Sequence, residues 1–118
     1  MATITAEWNH EDPLARAKGE TRSGNSALRD YALLGGGRSL RTLLEIYREQ
    51  NLNEGISERP PTIHFSTLAN WSMSKDWVKR VDAWEELETV RLTHEWTRRR
   101  LDIIEADYRQ GTALRALV

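Results

Sequence analysis

Apolar side chains recur along this chain at spacings of three and four in four stretches, the period of a helix rather than of a strand. From Ser23, the residues Leu28, Tyr31 and Ala32 fall at i, i+3 and i+4, with Asn25 or Ser26 as the expected cap and Gly35-Gly36-Gly37 as the stop. Arg38 to Arg48 predicts a second helix, with Leu40, Leu43, Leu44 and Tyr47 on its apolar face. Phe65 to Trp71 predicts a short third helix capped by Ser66, with Leu68, Ala69 and Trp71 turned inward. Ser72 to Lys75 then reads as a turn, Ser74 as a cap, and Asp76 as a dipole-favourable residue in the first turn of a fourth helix.

The fourth pattern is the longest. Trp77, Val81, Trp84, Leu87, Val90, His94, Thr97, Leu101, Ile104 and Tyr108 follow one another in steps of three and four, with no breaker before Gly111. At 1.5 Å per residue, about thirty-five residues reach roughly 50 Å, more than a small three-helix head can cover. The far half therefore calls for a partner chain, and Leu87, Val90, Trp96, Leu101, Ile104 and Tyr108 are the candidate oligomer interface. Leu92, Trp96 and Ile103 lie off the seam and widen it, which favours several neighbours over a simple pair. The polar seam residues His94 and Thr97 leave a second arrangement open, a bend into a helical hairpin. Gly111 then ends the pattern before a last apolar turn of Leu114, Leu117 and Val118.

Two stretches lack periodicity. Residues 1–22, with Pro13 and Gly19, read as a flexible arm in which Trp8 is the one candidate anchor. Asn51 to His64 holds Asn53, Gly55, Pro60 and Pro61 and reads as a loop longer than most helix-to-helix connections. The expected organisation is an arm over 1–22, a three-helix head over 23–76 and a long helix or oligomerisation region over 77–118. The fold class is all-α, a helix-turn-helix, homeodomain-like head followed by a long helix or a hairpin.

Composition narrows the function. A chain of 118 residues, 39% hydrophobic and 30% charged, holds one small core and not two. With no cysteine, a disulfide scaffold, a thiolate zinc site and a cysteine nucleophile are excluded. Neither a membrane span nor the basic-then-apolar start of a signal peptide is visible, so a cytoplasmic protein is expected. The net charge of −1 conceals a gradient: residues 21–80 carry nine basic and six acidic side chains, between two flanks that each have an acidic excess of two. A compact positive segment is what phosphate neutralisation requires.

Catalytic chemistry has no visible constellation. His10, His64 and His94 lack metal-ligand spacing and partner carboxylates, so neither metal nor cofactor is expected. Gly35-Gly36-Gly37-Arg38-Ser39 lacks the phosphate-loop spacing and follows a helix, so it reads as a turn. Glu85, Glu86 and Glu88 fan out around one helix as a solvated face. The expectation is a protein that is not an enzyme. A helix, a glycine turn, a helix, a connection and a short helix make the order of a helix-turn-helix DNA reader. Its third helix would offer Ser66, Thr67 and Asn70 to base edges or phosphates, with Arg38, Ser39, Arg41, Lys75, Lys79 and Arg80 around it.

Those residues also carry a family resemblance. The string from Trp71 to Glu85 (WSMSKDWVKRVDAWE) resembles the W-S-x(4)-W-x-x-R-x(3)-aromatic-acidic signature of tailed-phage small terminase subunits and phage helix-turn-helix proteins. Ala27-x-x-x-Tyr31, followed by GGGRSL from Gly35 to Leu40, is similar to the opening of the same family; the likeness covers roughly residues 26–86. The resemblance implies a homo-oligomer, a ring in form, that binds double-stranded viral DNA in the host cytoplasm and engages the large terminase subunit. It also implies that Arg38 and Ser39 start the second helix, that Ser66 to Trp71 is the recognition helix, and that Trp77, Arg80 and Trp84 lock the junction. The Asn51–His64 loop departs from that family's tight connection. With the sequence ending at Val118, either the long helix makes both the ring and the motor contact, or the chain is a shorter relative with another task. Two further readings stay open: a dimeric helix-turn-helix transcriptional regulator, and a DNA-independent helical scaffold that uses Trp8, Trp96 and the seam.

Overall fold

The computed structural model describes residues 7–53 and 58–116, with side chains as far as Gly111. The described residues form four α-helices and no strand: α1 Arg22–Leu33, α2 Leu40–Leu52, α3 Phe65–Ser74 and α4 Trp77–Ala116. The all-α class and the order of the helices agree with the hydrophobic pattern. Contacts divide the chain into two units, Met1–Trp84 and Glu85–Val118.

The first unit is a helical head. Its core comes from Ala27, Leu28 and Ala32 of α1, Leu43, Leu44 and Tyr47 of α2, Leu68 of α3, and Trp77 and Val81 of α4. Tyr31, Leu34, Leu40, Trp71 and Trp84 pack around it. Burying each of the large aliphatic side chains is worth about 1.5–3 kcal/mol, so the helical period alone selects which face turns inward. The Tyr47 hydroxyl donates a 2.5 Å hydrogen bond to Asp30, tying α2 to α1. Burial, then this bond and the Asp30 charge, raise the Tyr47 pKa, so the phenol stays protonated as a donor.

Helix ends differ from expectation in informative ways. Thr21, rather than Asn25 or Ser26, caps α1, its hydroxyl accepting from the Gly24 amide at 3.0 Å; Asn25 is buried in the helix and serves another purpose. Gly35, with φ of 72°, opens a single 3-10 turn over Gly35–Gly37 that separates α1 from α2. Ser39 caps α2, accepting from the Thr42 amide at 3.0 Å and donating to the Thr42 hydroxyl at 2.8 Å. Helix α2 continues to Leu52, past the Arg48 end that the apolar face suggested. His64 precedes α3, and Ser66 lies inside that helix rather than capping it. Ser72 to Ser74 remain helical, so the expected turn shrinks to Lys75 and Asp76 and Ser74 is no cap. Asp76 takes φ of 51°, a left-handed position that an Asp tolerates better than most side chains.

Replacing Ser39 with alanine is expected to lower head stability by about 1 kcal/mol in urea unfolding, the usual value of an N-cap. Equal unfolding midpoints for this variant and the unsubstituted chain would show that Ser39 carries no capping energy.

The arm expected over 1–22 is corrected by its described part. Pro13, Ala17 and Glu20 are buried, and residues 7–21 are built into the head. Near its start, Trp8 stacks on His10 with ring centroids 3.9 Å apart. The head also extends beyond residue 76, because the first turns of α4 complete its core.

In the second unit α4 runs without interruption through Gly111 to Ala116. The hairpin is therefore overturned, since His94 and Thr97 are accommodated within regular helix. The last apolar turn of Leu114, Leu117 and Val118 lies outside the described side chains.

Candidate nucleic-acid interface and helical seam

Helix α3 buries Leu68 and leaves Ser66 and Asn70 exposed one turn apart, with Thr67 half-buried beside them. At its N-terminal end Phe65 shares a cavity with Arg41, Leu44, Glu45 and Arg48 of α2. Past its C-terminal end come Lys75 and, one turn into α4, the exposed Lys79. A helix of this length spans about 15 Å, so small hydrogen-bonding side chains stand between cations at both ends. Ser and Asn side chains can donate to phosphate or meet base edges, and the cations can neutralise backbone charge.

Four of the expected contacts serve the fold instead. Arg38 Nη2 donates to the Ala32 carbonyl at 2.9 Å, and its guanidinium lies 5.8 Å from the centre of the Tyr31 ring, closing the C-terminal end of α1. Ser39 is the cap of α2. Lys75 Nζ donates to the Lys18 carbonyl at 3.3 Å.

Arg80 is the clearest correction. Expected on the rim, it is 0% exposed and spends all its donors inside the head. Its Nε donates to the Pro13 carbonyl at 2.8 Å, and Nη2 to the Ala15 carbonyl at 2.8 Å and Glu20 Oε1 at 3.1 Å. Nη1 donates to Glu20 Oε2 at 2.6 Å and to the Lys75 carbonyl at 3.3 Å. Glu20 completes its own set from the Ala17 amide at 3.1 Å and Asn25 Nδ2 at 2.9 Å. Burial alone would push the Glu20 pKa up, but the hydrogen bonds and the Arg80 charge outweigh it and hold the carboxyl below the usual range. This is the physical reason that residues 13–20 pack rather than fray.

The expected interface side chains on α4 are all exposed: Leu87, Val90, Trp96, Leu101, Ile104 and Tyr108, as are Leu92 and Ile103. Arg91 bridges Glu88 at 2.9 Å and Glu95 at 3.5 Å, and Arg109 bridges Glu105 at 2.6 Å. A row of large apolar side chains in water beside a row of ion pairs is the surface of an unpartnered helix.

Sequence reasoning passed over Arg48, Phe65 and Glu20. Arg48 stands seven residues from Arg41 on the same helix face, a spacing that was open to reading. Phe65 and Glu20 carry no such local signal, because their partners are distant in sequence.

Among the described residues no group of three His, Asp or Glu side chains is placed to hold a metal ion, and no helix is long and apolar enough to cross a membrane. Comparison with protein-family models, with curated proteins and with solved structures gives no match to this chain, so its function is argued from the geometry above.

Proposed function

We propose that this chain is a non-catalytic DNA-recognition and assembly subunit of a phage genome-packaging terminase, with a DNA-binding head and an oligomerising α4 that engages the large motor subunit. The carrying observation is α3, whose exposed Ser66 and Asn70 stand between Arg41 and Arg48 at one end and Lys79 at the other. The exposed apolar row on α4 supports the assembly half of the reading, and the resemblance over residues 26–86 supplies the biological setting.

Changing Arg41 and Lys79 together to alanine is expected to weaken duplex binding and lower the slope of log K against log salt by about two phosphates' worth. Binding that is unchanged in strength and slope removes α3 and its flanks as the contact surface. Light scattering at two salt concentrations, with and without duplex, reads the assembly: roughly eight or more chains taking up DNA supports the packaging subunit, and a DNA-binding dimer supports a regulator.

A second reading, a DNA-independent scaffold, is favoured by one observation. Arg38, Lys75 and Arg80 are engaged in holding the head together, which reduces the charge available to phosphate. Indifference to duplex at low salt would select it.

A further inference from the structure

Between Leu87 and Tyr108 the positions of α4 fall into a strict seven-residue repeat. Leu87, His94, Leu101 and Tyr108 occupy one line, and Val90, Thr97 and Ile104 the adjacent line, with charged side chains on both flanks. The apolar members of this seam are exposed, from 42% at Leu87 to 74% at Tyr108. Leu92, Trp96 and Ile103 form a separate, shorter stripe about 160° around the helix, at 3.6 residues per turn. The seam is thus a distinct face and not part of one broad apolar surface.

We propose that this seam receives the same seam of a second copy of the chain, parallel and in register. The inference rests on reading α4 as the assembly helix and adds the orientation and register of one of its contacts; the stripe of Leu92, Trp96 and Ile103 on another face is left for the further chains of a larger assembly. Charge complementarity selects the orientation. In a parallel pair each flanking residue meets the one five positions further along its partner. Glu86 then faces Arg91 and Arg100 faces Glu105, while Thr93 meets Arg98, so no like charges are opposed among the described side chains. An antiparallel pair over the same length also joins Arg91 to Glu105, but it sets Arg98 against Arg98 and Arg100 against Arg100, so it opposes like charges where the parallel pair does not. Arg91 already bridges Glu88 and Glu95 within its own helix, and Glu86 of the second copy adds a carboxylate to that group.

Register follows from the polar layers. In register, His94 meets His94 and Thr97 meets Thr97, so polar groups share one section of the seam. A slip of seven residues drives each imidazole against Leu87 or Leu101 and leaves it without a polar neighbour.

The chain has no cysteine, so single cysteines report the contact directly. In a glutathione redox buffer, Val90→Cys and Tyr108→Cys, each in the full-length chain, are expected to form disulfide-linked dimers with themselves. Glu86→Lys is expected to weaken association about tenfold, and Glu86→Lys with Arg91→Glu to restore part of it, since Arg91→Glu also gives up the bridges to Glu88 and Glu95. Cross-linking only in the mixture of the two cysteine variants overturns the parallel arrangement in favour of the antiparallel one. A multimeric mass with no self-linking at either position also overturns the proposal while leaving α4 as an assembly helix. A monomer at all concentrations, measured on the unsubstituted chain, overturns both.

Discussion

Arg80→Ala is expected to cost the head about 3–5 kcal/mol, the price of leaving a buried charge without its partner. Small domains hold only about 5–15 kcal/mol in total, so the variant should unfold at much lower urea and lose the packing of residues 7–21 first. The loss has two parts: Glu20 is stranded in the interior, and the carbonyls of Pro13, Ala15 and Lys75 lose their donor. Glu20→Gln should be damaging in the same direction, since Arg80 keeps its charge and loses the countercharge. The double change Glu20→Gln with Arg80→Met should recover part of the loss, because an apolar side chain no longer needs a buried anion. Equal unfolding midpoints for the single variants and the unsubstituted chain would refute the clamp. Acid gives an independent test. The folded Glu20 pKa lies below the ordinary value of 4.5, so its stabilisation is complete above about 4.5 and is lost as pH falls through the lower folded value. Glu20→Gln should remove that part of the acid sensitivity.

Leu101→Glu should have the largest effect on assembly. Leu101 is 60% exposed in the single chain, so the substitution should leave helix content unchanged. In the seam it removes an apolar contact from each copy and sets two carboxylates side by side. With about 1.5–3 kcal/mol for each leucine withdrawn from contact, association should weaken by about a thousandfold. The expected result is a monomer by light scattering whose head unfolds at the same urea concentration as before. An unaltered mass would show that Leu101 faces no partner, and a destabilised head would show that α4 contributes to folding at Leu101 as well as through Trp77 and Val81.

Most of the fold could be read from sequence because each head helix announces its buried face locally. Leu28 and Ala32, Leu43, Leu44 and Tyr47, and Leu68 all sit where the period puts them. Boundaries were less accessible: Thr21 outcompetes Asn25 and Ser26 as a cap, and Gly111 is carried inside α4. Both results depend on neighbours that a local window does not contain. Arg80 is the instructive failure. Three residues after Trp77 and four before Trp84, it lay on the inward face, yet its charge argued for the rim. Only Glu20, sixty residues upstream, makes an inward guanidinium tolerable, and no periodicity links the two. The set proposed to face DNA is legible for the same reason that it is weakly constrained, since exposed polar residues on a short helix are identified by face alone. Ser39 and Arg38 show the limit of that rule, being polar, near the surface and committed to helix ends.

The clamp between Glu20 and Arg80 also sets an order of events in time. Helices α1, α2 and α3 can meet through contacts closer in sequence, whereas the Pro13 and Ala15 carbonyls and the Glu20 carboxylate gain the guanidinium only after Arg80 has been made and delivered. Closing so long a loop is entropically slow, and its reward comes late. Residues 13–20 are therefore synthesised before the helices they pack against and fixed after them. Pulsed trypsin digestion during refolding should find cleavage at Arg16 and Lys18 suppressed later than cleavage within α1 and α2.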